Sequence, residues 1–423
     1  MAGLARRRGL ELTADPTLAN MIVVNTCGFI QPATEESIEA VLDLARYKIE
    51  GRCDTLVMAG CLAQRHALEL AQEMPEVDHF IGTEDLPTLD QILGGQPAAR
   101  LAVSPPGTGP LRDAEYERLL VDTPHTAYLK IAEGCDRRCA FCIIPRIRGH
   151  QRSRSVDSLT QEARQLAASG VRELIVVAQD STAYGRDLSP VATLAGLLRS
   201  LQSIEALTWI RVMYAYPVAV DRDLMRTMAE LPRVVPYLDL PIQHVDDTVL
   251  QAMRRGHDGD AVRRVLADLR RAVPGIFLRS TLISGHPGET DEAHAALCDF
   301  VQQVELDHLG VFPFSAEEGT AAASMAQQVP VEVARQRADE LMALQRQISR
   351  RKLARLRGQH LEVMVEGLSP ESDYLLQGRH AGQAPDVDGV VVLTDSVGRY
   401  APGDLASVRI TDSGDYDLVG SPE

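Results

Sequence analysis

The sequence predicts an α/β protein in three parts: an N-terminal parallel-sheet α/β domain, a central open (βα)6 barrel and a small C-terminal antiparallel β-barrel. Three observations predict it. The 423 residues correspond to about three domains at roughly 150 residues each. Up to residue 330, β-branched apolar runs alternate with helical stripes, as a parallel sheet with outside connections requires. From residue 358 onward the hydrophobic period becomes two, the pattern of short antiparallel strands.

In the first part, expected over 1–95, Met21–Asn25 (MIVVN) reads as a buried strand ended by Cys27-Gly28. Glu35–Ile49 then carries apolar residues at Ile38, Val41, Leu42, Ala45 and Ile49, which predicts a helix. Thr55–Ala59 (TLVMA) is the next strand, ended by Gly60-Cys61, and a helix is expected through Glu73. This βαβα order is of the flavodoxin-like kind. The stretch Gly94–Gly109 is rich in Gly and Pro and reads as a linker. No strand is expected ahead of the Gly107–Gly109 GxG, so a phosphate loop is not.

Over 124–330 six strands are predicted: Ala127–Ile131, Glu173–Ala178, Trp209–Met213, Tyr237–Leu240, Phe277–Ile283 and Leu309–Phe312. Helices such as Asp157–Ala168 and Ala261–Val273 separate them. Six such units fall short of a full eight-unit barrel, which takes about 250 residues. A single helix over 331–357 reads as a solvated connection. Beyond it, over 358–423, Leu361–Glu366, Tyr374–Arg379, Val390–Leu393 and Ala406–Ile410 are short strands between turns, suiting a small OB-sized barrel.

Composition narrows the function. Hydrophobic residues make up 45% and charged residues 24%, an ordinary globular balance. No apolar run reaches the ~20 residues of a bilayer span, and the N-terminus has no apolar core of a signal peptide, so a cytoplasmic location is expected. Lys+Arg 43 against Asp+Glu 59 gives −16, which disfavours a general nucleic-acid binder.

In a reducing compartment, the seven cysteines suit ligands, catalysts or core residues better than disulfides. Cys135, Cys139 and Cys142 form a CxxxCxxC loop just after the first barrel strand, where parallel barrels keep their active sites. Three thiolates on one loop can hold three irons of a cubane cluster and leave the fourth iron open to a small molecule. Structural zinc is the competing reading. It needs four protein ligands, and His150 is the only weak candidate for a fourth. Cys298, on a helical stretch, reads as core. His244, His257 and His286 lie near strand ends or turns, where structural hydrogen bonds are common.

The loop resembles that of the radical S-adenosylmethionine enzymes, with an aromatic residue, Phe141, before the third cysteine. The resemblance implies a catalytic [4Fe–4S] cluster on Cys135, Cys139 and Cys142, with S-adenosyl-L-methionine on the open iron. It also implies cofactor contacts from Val177–Tyr184, with Gln179, and from Thr281–Glu289, with Gly285 and Glu289. The segments around Cys27 and Cys61 (NTCGFI and AGCLAQR) are similar to the N-terminal domain of the methylthiotransferases within that superfamily. In that family three cysteines, each at a strand end, hold a second [4Fe–4S] cluster. The C-terminal barrel is then of the TRAM type, a substrate-binding module.

One departure from the family concerns the start. Its first cluster cysteine belongs to an opening strand and turn, whereas this sequence opens on what reads as the first helix, LARRRGLEL. The expectation is that the natural protein begins a strand earlier and that this sequence supplies two of the three ligands. Cys53 is a poor substitute, because it precedes its strand and should lie at the opposite sheet edge.

Charge separates two substrates within the family. One branch modifies a tRNA adenosine, the other the β-carbon of an aspartate in small-subunit ribosomal protein S-twelve. From Gly358 to Glu423 there are twelve acidic residues against Arg379, Arg399 and Arg409, a net −9. Such a module repels RNA and attracts a basic ribosomal protein. Pro236–His244 (PYLDLPIQH) and Gly378–Asp386 (GRHAGQAPD) also resemble the ribosomal-protein branch. The expected partners are therefore S-twelve and a flavodoxin- or ferredoxin-type reductant, with no membrane and no nucleic acid. A zinc-stabilised binding module without catalysis remains the reading from another class.

Overall fold

The computed structural model describes residues 1–111, 118–120 and 123–423. They form two compact units. One comprises Met1–Leu119, Glu133–Arg154 and Ser315–Ala323; the other comprises Leu120–Ala132, Ser155–Phe314 and Ser324–Glu423.

The first unit is built on a four-stranded parallel sheet in sequence order: Met21–Thr26, Thr55–Gly60, His79–Ile81 and Leu101–Ala102. Its second strand is apolar and buried from Leu56 to Ala59 because both faces are covered. Leu56 and Met58 pack with Val41 of helix Gln31–Ala45 and Leu62 of helix Cys61–Glu73. Val57 and Ala59 pack on the other side with Leu4 of helix Ala2–Arg7 and Leu89 of helix Leu86–Leu93. Truncating the fully buried Leu56 to alanine would cost about 2–5 kcal/mol. Two sequence expectations are corrected here. The helix predicted over Glu35–Ile49 starts at Gln31, with proline in its first turn, and gives way to a short helix Tyr47–Glu50. The stretch read as a pure linker contains Leu101–Ala102, which pairs with Phe80 and Ile81.

In the second unit six parallel strands lie side by side in chain order: Thr126–Lys130, Glu173–Val177, Trp209–Val212, Val234–Asp239, Phe277–Ser284 and His308–Pro313. Leu129, Leu174, Val176, Ile210, Val212, Leu238, Leu278 and Leu282 face one large helix-lined core. Residues of the opposite parity, such as Ile175 and Tyr237, face the other way and meet Met364 and Ala384 of the C-terminal barrel. Helices on one face and consecutive strand order are the arrangement of an incomplete (βα) barrel. Polar side chains cap its helices: Ser155, Thr193, Asp221, Asp246, Asp258 and Thr290 each accept an amide of the first turn. Each such cap is worth about 1 kcal/mol.

Helix Val331–Ala354 does more than connect. Ala334, Arg337, Ala338, Leu341, Gln345 and Ile348 make a buried stripe at helical spacing, and Leu341 and Ile348 join the large core. The stripe is hard to read in sequence because Arg337 lies in it, held by Glu289 and Asp291. The C-terminal strands His360–Ser369, Ser372–His380, Val391–Leu393, Leu405–Ser413 and Leu418–Pro422 close into a barrel in the order first, second, third, fifth, fourth. One pairing departs from the antiparallel expectation, since Val391–Leu393 runs parallel to Leu418–Pro422. Among the described residues no helix is long and apolar enough to cross a membrane.

Candidate functional site

Two adjacent parallel strands set the first pair of cysteines. Thr26 and Gly60 are partners at the paired ends of their strands, so Cys27 and Cys61 each come one residue later. Glycine is required at both turns. Gly60 has φ +115°, and a Cβ there would sit 2.5 Å from the Thr26 carbonyl; a Cβ on Gly28 would sit 2.8 Å from the Leu62 Cα. The second turn is therefore pressed onto the start of the Cys61 helix. Cys27 is exposed and Cys61 buried. The Cys27 N–H donates to Ser37 Oγ (3.0 Å), and that hydroxyl donates to the Cys27 carbonyl (3.1 Å). Cys53 lies at the start of its strand, at the opposite end of the parallel sheet. It is buried, its thiol donates to the Thr55 carbonyl (3.4 Å), and burial pushes its pKa up.

The loop of the other three cysteines belongs to the same unit. The Cys135 N–H donates to the Gly149 carbonyl (3.1 Å), and the Cys142 N–H donates to the Cys139 carbonyl (3.1 Å). The Arg137 N–H donates to Cys135 Sγ (3.4 Å), the kind of amide-to-sulfur contact that favours a metal-bound thiolate. Cys135 is buried, whereas Cys139 and Cys142 are half-buried. Among the described residues no three Cys, His, Asp or Glu side chains are already gathered as a metal-ligand set. The donor chemistry nevertheless fits an iron–sulfur cluster: three soft sulfur donors on one short loop, one of them already receiving an amide. His150 lies with Nδ1 2.7 Å from Asp136 Oδ1 and is exposed, so its described contact is with that carboxylate.

Between the two sets of cysteines stands Arg148, the last residue of helix Ile144–Arg148. Its Nη2 donates to Cys61 Sγ (3.0 Å) and its Nη1 to Glu133 Oε1 (3.0 Å). Burial works against its charge, but Glu133 and Cys61 outweigh it and hold its pKa above the ordinary arginine value. Phe29, Cys61, Ile143 and Ile147 form a small apolar cluster beside it. Arg65 clamps the Gly28 carbonyl (3.0 Å) and Glu317 (2.8 Å), and Glu317 also accepts the Gln31 N–H (2.8 Å). Sequence reasoning missed Arg148, Glu133 and Glu317. Arg148 stands just beyond the cysteine motif, but only its contact with Cys61, 87 positions away, reveals its place.

In the second unit Gly285 and Glu289 come together. Gly285, at φ +79°, donates its N–H to Glu289 Oε2 (2.7 Å), while Glu289 Oε1 accepts from Arg337 (2.9 Å). Burial pushes the Glu289 pKa up against these partners. The carboxylate thus shapes the turn. Gln179 sits half-buried on a different turn, after strand Glu173–Val177. The histidines have packing roles. His244 accepts the Asp246 N–H at Nδ1 (3.0 Å), and burial lowers its pKa to about 3. Burial lowers His286 to about 4, and its ring packs edge-on against Phe314; His257 does the same against Tyr216. Cys298 Sγ lies 3.5 Å from His294 Nε2, partly buried against the core.

Comparison with known proteins supplies the family. The Radical SAM superfamily matches residues 129–301, "Uncharacterized protein family UPF0004" residues 1–82 and the TRAM domain residues 358–422. The ribosomal protein uS12 methylthiotransferase RimO of Anaeromyxobacter sp. (strain K) is 50% identical over 420 residues, covering 99% of this chain and 89% of that protein. The protein of that name from Sorangium cellulosum (strain So ce56) is 48% identical, covering 99% of this chain and 86% of that protein. Among solved structures, the radical S-adenosylmethionine methyltransferase TsrM from Kitasatospora setae overlays with a TM-score of 0.53 at 15% identity. That overlay spans 73% of this chain and 66% of TsrM, and it is a likeness of fold. A near-complete match at half identity, together with the Radical SAM and TRAM matches, means that the chain belongs to the RimO family of radical S-adenosylmethionine methylthiotransferases.

Proposed function

We propose that this chain replaces a hydrogen on the β-carbon of an aspartate in ribosomal protein uS12 with a methylthio group. One observation carries the reading from the geometry: Cys61 and the Cys135–Cys142 loop lie in one compact unit, joined through Arg148. The near-complete similarity to RimO proteins supports it. A radical S-adenosylmethionine enzyme uses a [4Fe–4S] cluster and S-adenosyl-L-methionine. When bound, they supply the electron and the carbon-centred radical that open an unactivated C–H bond.

The protein's own residues hold and orient. Cys135, Cys139 and Cys142 are the ligands of the cleaving cluster, with the Arg137 amide on the first sulfur. Cys27 and Cys61 are two ligands of a second cluster, the source of sulfur, whose third ligand is not among the residues of this sequence that the family pattern matches. Gln179 and Gly285 line the S-adenosylmethionine pocket, and Glu289 acts on it by fixing the Gly285 N–H. The acidic C-terminal barrel receives the basic uS12, not RNA. A flavodoxin- or ferredoxin-type protein supplies electrons, in the cytoplasm.

The test is anaerobic reconstitution with iron and sulfide, followed by incubation with a reductant (dithionite or reduced flavodoxin), S-adenosylmethionine and uS12, scoring 5′-deoxyadenosine and modified uS12 by mass spectrometry. Cys139→Ala should abolish deoxyadenosine. Cys61→Ala should leave deoxyadenosine and remove the methylthio product. Equal loss of both products in the two variants overturns the division between clusters, and thiolation of tRNA in place of uS12 overturns the substrate.

A further inference from the structure

We propose that Arg279 and Asp239, on the face of the six-stranded sheet turned away from its helices, recognise the aspartate that uS12 presents: Arg279 Nη2 takes its side-chain carboxylate and Asp239 Oδ1 a backbone N–H beside it. The inference rests on the uS12 reading above and deepens it by naming the residues that read the substrate.

Asp239, Arg279 and His308 are neighbours across the fourth, fifth and sixth strands. Leu238, Leu278 and Leu309 belong to the helix-lined core, so strand alternation turns these three to the other face. There the C-terminal barrel supplies Asp388, whose side chain is fully buried. Its Oδ2 accepts from the Tyr237 hydroxyl (2.7 Å) and the Ala384 N–H (2.8 Å), and its Oδ1 lies 3.4 Å from both His308 Nδ1 and Arg279 Nη1. Arg279 is thereby held by one nitrogen. Its Nε stands 3.7 Å from Asp239 Oδ1, too far for a hydrogen bond. Among the described residues Nη2 has no hydrogen-bond acceptor. It lies over Gly310, where an added Cβ would come 3.8 Å from it.

Asp239 complements this donor. It is 2% exposed, its Oδ2 accepts the Tyr214 N–H (3.2 Å), and its Oδ1 is buried with no hydrogen-bond donor. Tyr214 delivers that N–H from φ +59°, a costly conformation for a non-glycine residue and one that clusters at functional sites. A buried carboxylate oxygen without a donor is destabilising, and a bound N–H would relieve it. Tyr214 and Phe312, which flank the pair, are 47% and 52% exposed, so a substrate side chain can reach it from solvent.

The chemistry follows from the pairing. A guanidinium donor beside a carboxylate acceptor matches an aspartyl residue, whose own carboxylate and main-chain N–H lie close together. Asparagine offers Arg279 only a neutral oxygen, and a hydrogen bond to a charged group is roughly twice as strong as one between neutral groups. Adenosine offers no carboxylate at all.

The experiment measures binding by fluorescence anisotropy, using the reconstituted full chain with S-adenosylmethionine and no reductant, so that nothing turns over. The probes are a labelled peptide carrying the target aspartate of uS12 and the same peptide with asparagine in its place. The wild-type chain should prefer the aspartate peptide by about 10- to 100-fold. Arg279→Gln should erase that preference by weakening the aspartate peptide alone, the asparagine peptide serving as the control for folding. Arg279→Lys, which keeps the charge and loses the planar fork, should restore part of the preference. Asp239→Ala should weaken both peptides alike, and unchanged binding there overturns its half of the pair. Equal affinity of the wild-type chain for the two peptides, or parallel loss of both in Arg279→Gln, overturns the proposal while the uS12 reading stands. Intact uS12 that neither binds nor acquires the methylthio group overturns that reading and this proposal with it.

Discussion

At the scale of single residues, burial decides which groups titrate. His380 is 5% exposed and accepts the Gly382 N–H at Nδ1 (3.0 Å). Burial, helped by His308, Arg211 and Arg379, lowers its pKa to about 3, against roughly 6.5 when unfolded. The folded state thus holds fewer protons between these values, so its contribution is complete above about 6.5 and is lost as pH falls toward 3, at about 1.4 kcal/mol per pH unit. His380→Gln should flatten the fall in stability between pH 6.5 and 4.5 by about that slope, measured by urea unfolding. Asp239 acts with the opposite sign: burial raises it to about 6, so its contribution weakens as pH rises through that value. The comparison with the variant separates the two. Single residues were unevenly legible. Cys135, Cys139 and Cys142 stand out because their spacing is local, whereas Arg148 and Arg379 are defined by partners far along the chain.

At the scale of elements, a buried charge clamp joins the second and third strands of the six-stranded sheet to the C-terminal barrel. Glu173, the first residue of its strand, accepts from Arg211 (2.8 Å) and Arg379 (2.5 Å), with all three side chains at most 1% exposed. Arg211 also donates to the Ala381 carbonyl (2.9 Å), and Arg379 to Glu366 (2.5 Å). Burial pushes the Glu173 pKa up, but the two arginines outweigh it and hold it below the usual carboxylate range. Glu173→Gln leaves the buried Arg211 short of its anion and Arg379 with Glu366 alone, and should cost about 3–5 kcal/mol in denaturant unfolding. Replacing Glu173, Arg211 and Arg379 together with apolar residues should cost less than that single change. The long apolar strands were readable from their β-branched runs. Leu101–Ala102 was not, since two residues in a Gly/Pro-rich stretch carry no period, and its place depends on an available sheet edge.

At the scale of the whole molecule, the order of parts was legible because each has its own hydrophobic period, and consecutive parallel strands leave few topologies. Charge also reads at this scale. The chain carries −16, and the C-terminal 66 residues hold −9 of it, with Glu371 and Asp373 exposed beside Tyr374, which is 85% exposed. Association with uS12 should be steered by this field. Raising salt from low to physiological strength should slow association by roughly tenfold, read by stopped-flow, and Glu371→Lys with Asp373→Lys should mimic the effect at low salt.

The interleaving of the first unit bears on how the protein is made. Gln31 and Arg65 both bind Glu317, across 286 and 252 positions of chain. A nascent polypeptide emerges N-terminus first, so the sheet that carries Cys27 and Cys61 leaves the ribosome long before the residue that braces it. Loop closure over such spans is slow. Until synthesis has passed Glu317, Gln31 and Arg65 lack the carboxylate that joins them, so this part of the first unit is completed late.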